Sequence, residues 1–574
     1  MVEALARALF ADGIWVTPNS GESPEQATER LLAIPGDGVW FEPTFVINDM
    51  LVRVDILERK GDTLRLIEVK AKSFDSTETM TPYRGKRGGI DSKWREYLLD
   101  IAFQVNVLEK VFPNMNVVPE ICLVDTSKTC REEAIFNKVE LVTDKDPGSS
   151  GPRAIYNGDI ASLRSQHFLG FLNVRPEVDE LIADVRSKST SLLKIVADPN
   201  LKLDPPLSNH CRNCEYRNLG NLRNGFAECW GALSVGDPHV VDFVRIDLLA
   251  DAHANSGEGL NWLITNQISK LVDIPAKLID PAKAIGRRQK TQLECTISGK
   301  EWIDSQLSQE LDACRYPLHF VDFETSRLAV PYHTGMQPYE QIAFQFSCHT
   351  ILRKGDKELQ HSEWINVKDA FPSFEFVAAL RDTIGDSGTM FVWSDFEQST
   401  LRDIRRQMDA YNHGDKQLAE WVDAMVPDRK DGGRVQDLLE LCNKHYYHPK
   451  MGGSLSIKYV LPAIWSSNES LWGDPWFAKY FRESLDGALD PYSALTGLII
   501  EANESNDDAE VAVEAVRDGI GAMRTYQEMM YGLSRSNAKH RDAVKKMLLQ
   551  YCELDTAAMV IIWKHWVAKL AELN

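Results

Sequence analysis

The sequence predicts an α/β chain of more than one domain, and three observations carry that expectation. At 574 residues the chain exceeds what one ordinary hydrophobic core organises. From about Trp40 to Lys72, short apolar runs alternate with turn residues and lead into a helical repeat. A second block opens at Pro317, where a mostly apolar run to Phe323 reads as a buried strand and carries Asp322-Phe-Glu324.

Met1 to Trp15 has the spacing of a short amphipathic helix with Glu3, Arg7 and Asp12. It lacks the basic end, long apolar centre and small-residue cleavage site of a signal peptide. Strands are expected at Phe41 to Ile47 and Leu51 to Leu57, around an Asn48-Asp49 turn. Another is expected at Leu64 to Val69, after Lys60-Gly61-Asp62. A helix follows at roughly Lys93 to Val111, then a strand near Val117 to Val124. Asp237 to about Ala313 reads as mainly helical with Pro-bearing breaks. The second block has strands at Pro317 to Phe323, Gln341 to His349 and Thr389 to Trp393, and helices near Glu397 to Ala410 and Arg434 to Lys444. The C-terminal third is largely helical, ending in a run from about Asn537 to Leu570. The expected division is 1–235, a helical connector at 236–313, and 314–574.

Hydrophobic residues at 44% and charged residues at 26% describe a globular chain in water. No apolar run is long enough to cross a bilayer, so no membrane is expected and the cytoplasm is the default location. Net charge is 64 minus 84, or −20, which argues against a general polyanion binder but leaves room for a local basic cleft. Ten cysteines form no dense disulfide pattern, and only Cys211, Cys214 and Cys229 cluster.

Asp55 is followed thirteen residues later by Glu68 in Ile67-Glu68-Val69-Lys70. Glu68 and Lys70 are two apart on a strand and share a face. Asp55, Glu68 and the Val69 carbonyl would be hard oxygen ligands for Mg²⁺ or Mn²⁺. Downstream, Gln104 lies on the predicted helix with Asp100 one turn before it, and Glu42 is a supporting acidic residue. This arrangement resembles the PD-(D/E)XK nuclease core in its RecB-like branch. That resemblance implies a catalytic Lys70, a motif Gln104, and a restriction-endonuclease-like fold. A histidine seen upstream in many relatives has no counterpart before Asp55.

After this core comes His210-Cys211-Arg-Asn-Cys214, then Cys229-Trp230. The Cys-x2-Cys spacing suits two thiolates on one metal centre. The resemblance to CRISPR-associated and helicase-linked RecB-like nucleases implies a [4Fe–4S] cluster, with Zn²⁺ or no metal as alternatives. His210, Cys130 and Cys122 are the candidates for a fourth ligand, His210 preferred.

In the second block, Asp322 and Glu324 are likewise on one strand face and within reach of one divalent ion. His319-Phe-Val-Asp-Phe-Glu-Thr325 resembles the opening motif of the RNase H-like DEDD exonucleases, and Tyr551-Cys-Glu-Leu-Asp555 resembles their closing Tyr-x3-Asp motif. The resemblance implies a mixed-sheet domain with two metals held by Asp322, Glu324, Glu397 and Asp555, and a water-orienting Tyr551. Asp395 is the rival to Glu397, and Asp437 is a further acidic candidate. Gly452-Gly-Ser-Leu-Ser-Ile-Lys-Tyr-Val-Leu-Pro462 resembles a segment of bacterial proteins that join the two nuclease types. It offers Ser454, Ser456 and Lys458 as contacts to phosphate or to carboxylates.

Together the resemblances imply a metal-dependent nuclease that hydrolyses phosphodiester bonds, exonucleolytic, acting on single-stranded DNA or free ends, with RNA open. The setting implied is DNA repair or defence against foreign nucleic acid, with a helicase or defence-system partner. The alternatives are a non-catalytic nucleic-acid-binding subunit, and a chain in which only the RNase H-like site is active.

Overall fold

A computed structural model describes the chain except residues 143–152, 203–204, 219–223, 250–258, 428–432, 485–486, 496–497, 502–509, 514, 533–534 and 574. The fold is mixed α/β with mixed sheets, in two compact units. The first is Met1–Leu203 with Arg327–Gln341, and the second is Asp204–Ser326 with Ile342–Asn574. The cysteine segment and the expected connector therefore belong to the second unit. Val240, Phe243, Leu263, Leu271 and Leu293 of that stretch share one buried cluster with Phe226 and Trp230.

The first unit is built on a six-stranded sheet. Its strands, in sheet order, are β1 (Ile14–Trp15), β2 (Gly38–Phe41), β3 (Ile56–Lys60), β4 (Thr63–Phe74), β5 (Asn116–Asp125) and β6 (Leu169–Asn173). The β1–β2 and β4–β5 pairs are parallel and the others antiparallel. Asn48 and Asp49, both at positive φ, turn a separate hairpin of Thr44–Ile47 and Met50–Arg53. Helices α1 (Ser92–Val111) and α2 (Arg175–Ala197) bring Leu98, Ile101, Val105, Val178 and Leu181 onto the sheet residues Leu57, Leu64, Leu66, Ile121 and Leu123. Asp91 caps α1 by accepting from Lys93 N.

The second unit holds a five-stranded sheet of β7 (Leu318–Ser326), β8 (Ile342–Ile351), β9 (Gln360–Ile365), β10 (Thr389–Val392) and β11 (Val435–Asp437). The order is β9-β8-β7-β10-β11, with β9, β8 and β7 antiparallel and β7, β10 and β11 parallel. The central strand β7 alternates its faces. Val321 and Phe323 pack with Phe376, Val377 and Leu380 of helix α3 (Ser373–Ile384). Phe320, Asp322 and Glu324 face the other way, where Phe320 meets Phe391 and Trp563. The C-terminal helix α7 (Ala538–Leu573) crosses this second face, after α4 (Phe396–Ala410), α5 (Ile457–Trp465) and α6 (Gly519–Tyr531). The buried Gln345 of β8 donates to the Leu548 carbonyl of α7 (2.8 Å), which ties helix to sheet. Among the described residues, no helix is long and apolar enough to cross a membrane.

Phe376 is the hub of the core under β7: its ring lies 4.8 Å from Phe323, 5.5 Å from Phe346 and 5.8 Å from Trp364. Phe376→Ala is expected to destabilise the second unit by about 3–5 kcal/mol. Urea unfolding followed by second-unit tryptophan fluorescence measures it, and a loss below about 1 kcal/mol would remove Phe376 from that role.

Candidate functional site

Asp322 and Glu324 come from β7, Glu397 from the first turn of α4, and Asp555 from the middle of α7. One carboxylate oxygen each from Asp322, Glu324 and Asp555 lie within 4.8 Å of one another. The alternation of β7 puts the first two on the face that α7 crosses. Asp322 sits opposite Ser347 and Glu324 opposite Gln345, with a bulge just after Glu324. Glu397 is buried, and its Oε2 has no hydrogen-bond partner among the described residues. The turn that aims it passes through Ser394 at φ 124°, a backbone region that side chains rarely adopt. Asp395 points out instead, its side chain 71% exposed and 3.6 Å from Arg402.

Burial, and then each other's charge, push the carboxyls of Asp322, Glu324 and Glu397 well above their ordinary range. Asp555 is the strongest charge acting on Asp322, and Asp322 the strongest acting on Glu324 and Glu397. Lys458 is a cation at this cluster: its Nζ lies 3.7 Å from Asp555 and donates to the Tyr551 hydroxyl at 3.0 Å. It also sits over the rings of Tyr492 and Tyr551. Two residues that the sequence did not single out complete the set. Tyr492 donates its hydroxyl to Asp555 at 2.5 Å, and the Cys552 thiol lies 3.4 Å from Asp322 Oδ2. Tyr492 stands in a loop with no local motif, so only the fold could place it here. Cys552 had a signal in the Tyr551-Cys-Glu-Leu-Asp555 run, one residue beyond the tyrosine.

Lys458 thus belongs with the carboxylates. Ser454 and Ser456 bond to each other, Ser456 N donating to Ser454 Oγ (3.3 Å) at the start of α5. The loop before them needs glycine: at Gly453, φ +75°, a Cβ would stand 2.5 Å from the Asp242 carbonyl oxygen. Asp437 caps the following helix, accepting from Leu439 N and Glu440 N.

In the first unit, Asp55 lies in the bend before β3, and Glu68 and Lys70 lie on β4. Asp55 accepts from Val69 N (2.7 Å). Lys70 donates to Glu68 (2.6 Å) and Asp100 (3.2 Å), and Gln104 donates to Glu68 (2.7 Å). The predicted residues therefore converge, with Lys70 as a built-in counter-ion. Burial and then Glu68 push the Asp55 carboxyl up to about 7. Glu68 is also raised by burial, against the pull of Lys70 and Gln104. Glu42 is paired elsewhere, with Arg7 and Arg53.

Among the described residues, the sets of three or more metal-capable groups include none of Cys211, Cys214, Cys229 and His210. Cys211 lies within the 3₁₀ turn Asn209–Asn213 and Cys214 caps its end, whereas Cys229 is exposed on the helix Gly225–Trp230 beyond it. Cys122 and Cys130 are buried in the first unit.

A family model described as "Domain of unknown function (DUF2779)" matches residues 319–456. That stretch carries Asp322, Glu324, Glu397, Ser454 and Ser456, and stops short of Lys458, Tyr551 and Asp555. No curated protein and no solved structure matches the chain.

A carboxyl raised by the fold binds its proton more tightly folded than unfolded, so stability is lost as pH rises through the gap. For Asp55 that gap runs from 3.8 to about 7. Metal-free Asp55→Asn is therefore expected to be more stable than wild type near neutral-to-alkaline pH, by ~2–4 kcal/mol. The advantage should vanish at acid pH below the carboxylate range. Denaturant melts in chelator at both pH extremes test this, and an equal effect at both would refute it.

Proposed function

We propose that the chain is a metal-dependent nuclease, with an RNase H-like, DEDD-type centre in the second unit and a RecB-like PD-(D/E)XK centre in the first. The observation that carries this reading is the convergence of Asp322, Glu324 and Asp555 within 4.8 Å, with a buried Glu397 oxygen that has no partner among the described residues. An all-oxygen donor set of this kind suits Mg²⁺ or Mn²⁺. Bound there, the metal would supply the activated water and the positive charge that phosphodiester hydrolysis requires. The mixed sheet, with the acidic pair on its central strand and the last carboxylate on a C-terminal helix, agrees with the RNase H-like reading.

The chain's own residues have separable tasks in this scheme. Tyr492 holds Asp555 in one orientation, and Lys458 fixes the Tyr551 hydroxyl one helical turn from Asp555. Burial keeps Tyr551 a neutral phenol, able to hydrogen-bond a water or a phosphate oxygen. In the first unit, Asp55 and Glu68 would hold the metal. Lys70, released from Glu68, would meet the charge that develops on the phosphate. The substrate proposed is DNA with a free end or single-stranded character, with RNA as an alternative for the second unit. A role in repair or defence, with a partner protein, belongs to the same proposal.

A second reading has support in one observation. Lys70 is engaged by both Glu68 and Asp100, so Glu68 already has a cation beside it without a metal. On that reading only the second unit cleaves.

Nucleotide release from end-labelled single- and double-stranded DNA and RNA, with Mg²⁺ or Mn²⁺, separates these outcomes. Asp322→Asn is expected to lose at least about 10²-fold in kcat for the second unit's substrate. Lys70→Ala should remove a distinct activity if both centres work, and leave cleavage intact if only the second does. Absence of cleavage by wild type with either metal would overturn the nuclease reading.

A further inference from the structure

A second cluster of ligating side chains lies in the second unit, apart from the carboxylates. His349 of β8, His361 of β9 and Glu553 of α7 each offer one ligand atom within 4.8 Å of the others. Strand register makes the two histidines a direct cross-strand pair, their rings 4.6 Å apart. Each imidazole is held from behind. Thr556 Oγ1 lies 2.8 Å from His349 Nδ1, Ser347 Oγ lies 2.9 Å from His361 Nε2, and the two hydroxyls are 2.9 Å apart. Nε2 of His349 and Nδ1 of His361 remain for a ligand. Glu553 is likewise anchored through one oxygen: Lys479 and Tyr480 both engage Oε1, which leaves Oε2.

The geometry points to a transition-metal site of the Zn²⁺ class at His349, His361 and Glu553. Two imidazoles and a carboxylate favour a borderline ion such as Zn²⁺ over Mg²⁺ or Mn²⁺, which prefer all-oxygen sets. Outer hydrogen bonds to the non-ligating nitrogens are what fix tautomer and ring orientation at such centres, and here one hydroxyl pair serves both rings. Burial keeps His349 neutral, the form that ligates. Three protein ligands leave a fourth position for water.

The site has a consequence for the carboxylate cluster. Glu553 and Asp555 are two residues apart on α7, and Ser347 is the strand partner of Asp322. A metal at Glu553 would tie α7 to β8 and the edge strand β9, and so hold the register of the helix that delivers Asp555. This assignment does not depend on the nuclease reading or on the cysteine segment.

The test is Co²⁺ titration of the chelator-stripped full chain in excess Mg²⁺, read by visible absorption, then displacement by Zn²⁺. Wild type is expected to bind one equivalent, with the band removed by Zn²⁺. His361→Ala, at an exposed position, and Glu553→Gln should each weaken binding by more than the roughly 10–100-fold that loss of an outer hydrogen bond costs. Asp322→Asn and the Cys211→Ser, Cys214→Ser double variant should bind as wild type does. No band in wild type, a band that survives His361→Ala, or one lost in the cysteine variant would each overturn the assignment.

Discussion

The second unit is organised around mutual repulsion among carboxylates that the fold does not let apart. Asp322 and Glu324 are locked onto one face of the central strand by the pleat. The same pleat buries Val321 and Phe323 on the other face. Moving either acid to solvent would require the strand to slip by one residue and expose the core residues instead. Asp555 is carried in by α7, whose contacts through Gln345 and Thr556 are independent of its charge. The fold therefore holds acidic groups together at a cost that protons, Lys458 or a divalent cation must offset.

The two acidic centres meet this problem in different ways. In the first unit a lysine is built into the strand, two residues from Glu68, so the pair is neutral within itself. In the second unit the cation is Lys458, and it stands nearer the tyrosine hydroxyl than the carboxylate. Its charge is shared among Asp555 and two aromatic rings, while Glu397 keeps one oxygen without a partner among the described residues. The second centre is thus the less compensated of the two, and the one that under the proposed function would depend more on an added ion.

Much of this architecture was legible in the order of residues. Apolar runs bounded by turn residues located the strands that carry Glu68 and Asp322, whereas the strand expected across Leu51 to Leu57 is broken by a bend at Asp55. The Asn48-Asp49 turn was readable because those residues tolerate positive φ. Less legible were the groupings. Arg327–Gln341 joins the first unit although it lies between two strands of the second, and the cysteine segment joins the second although it follows the first. Local propensity carries no information about which core a segment will share.

By itself the sequence determined the short-range chemistry: which carboxylates share a strand face, where Lys70 meets Glu68, and that Tyr551 and Asp555 lie one helical turn apart. Those relations follow from backbone periodicity, which acts over a few residues. Only the tertiary structure decided that Lys458 would serve Tyr551 and Asp555, and that Tyr492 would orient Asp555. Only it brought His349 and His361 beside Glu553, some two hundred residues on along the chain. Such meetings depend on sheet register and on the angle at which a helix crosses a sheet. Both are set by side-chain packing over the whole core rather than by any local run of residues.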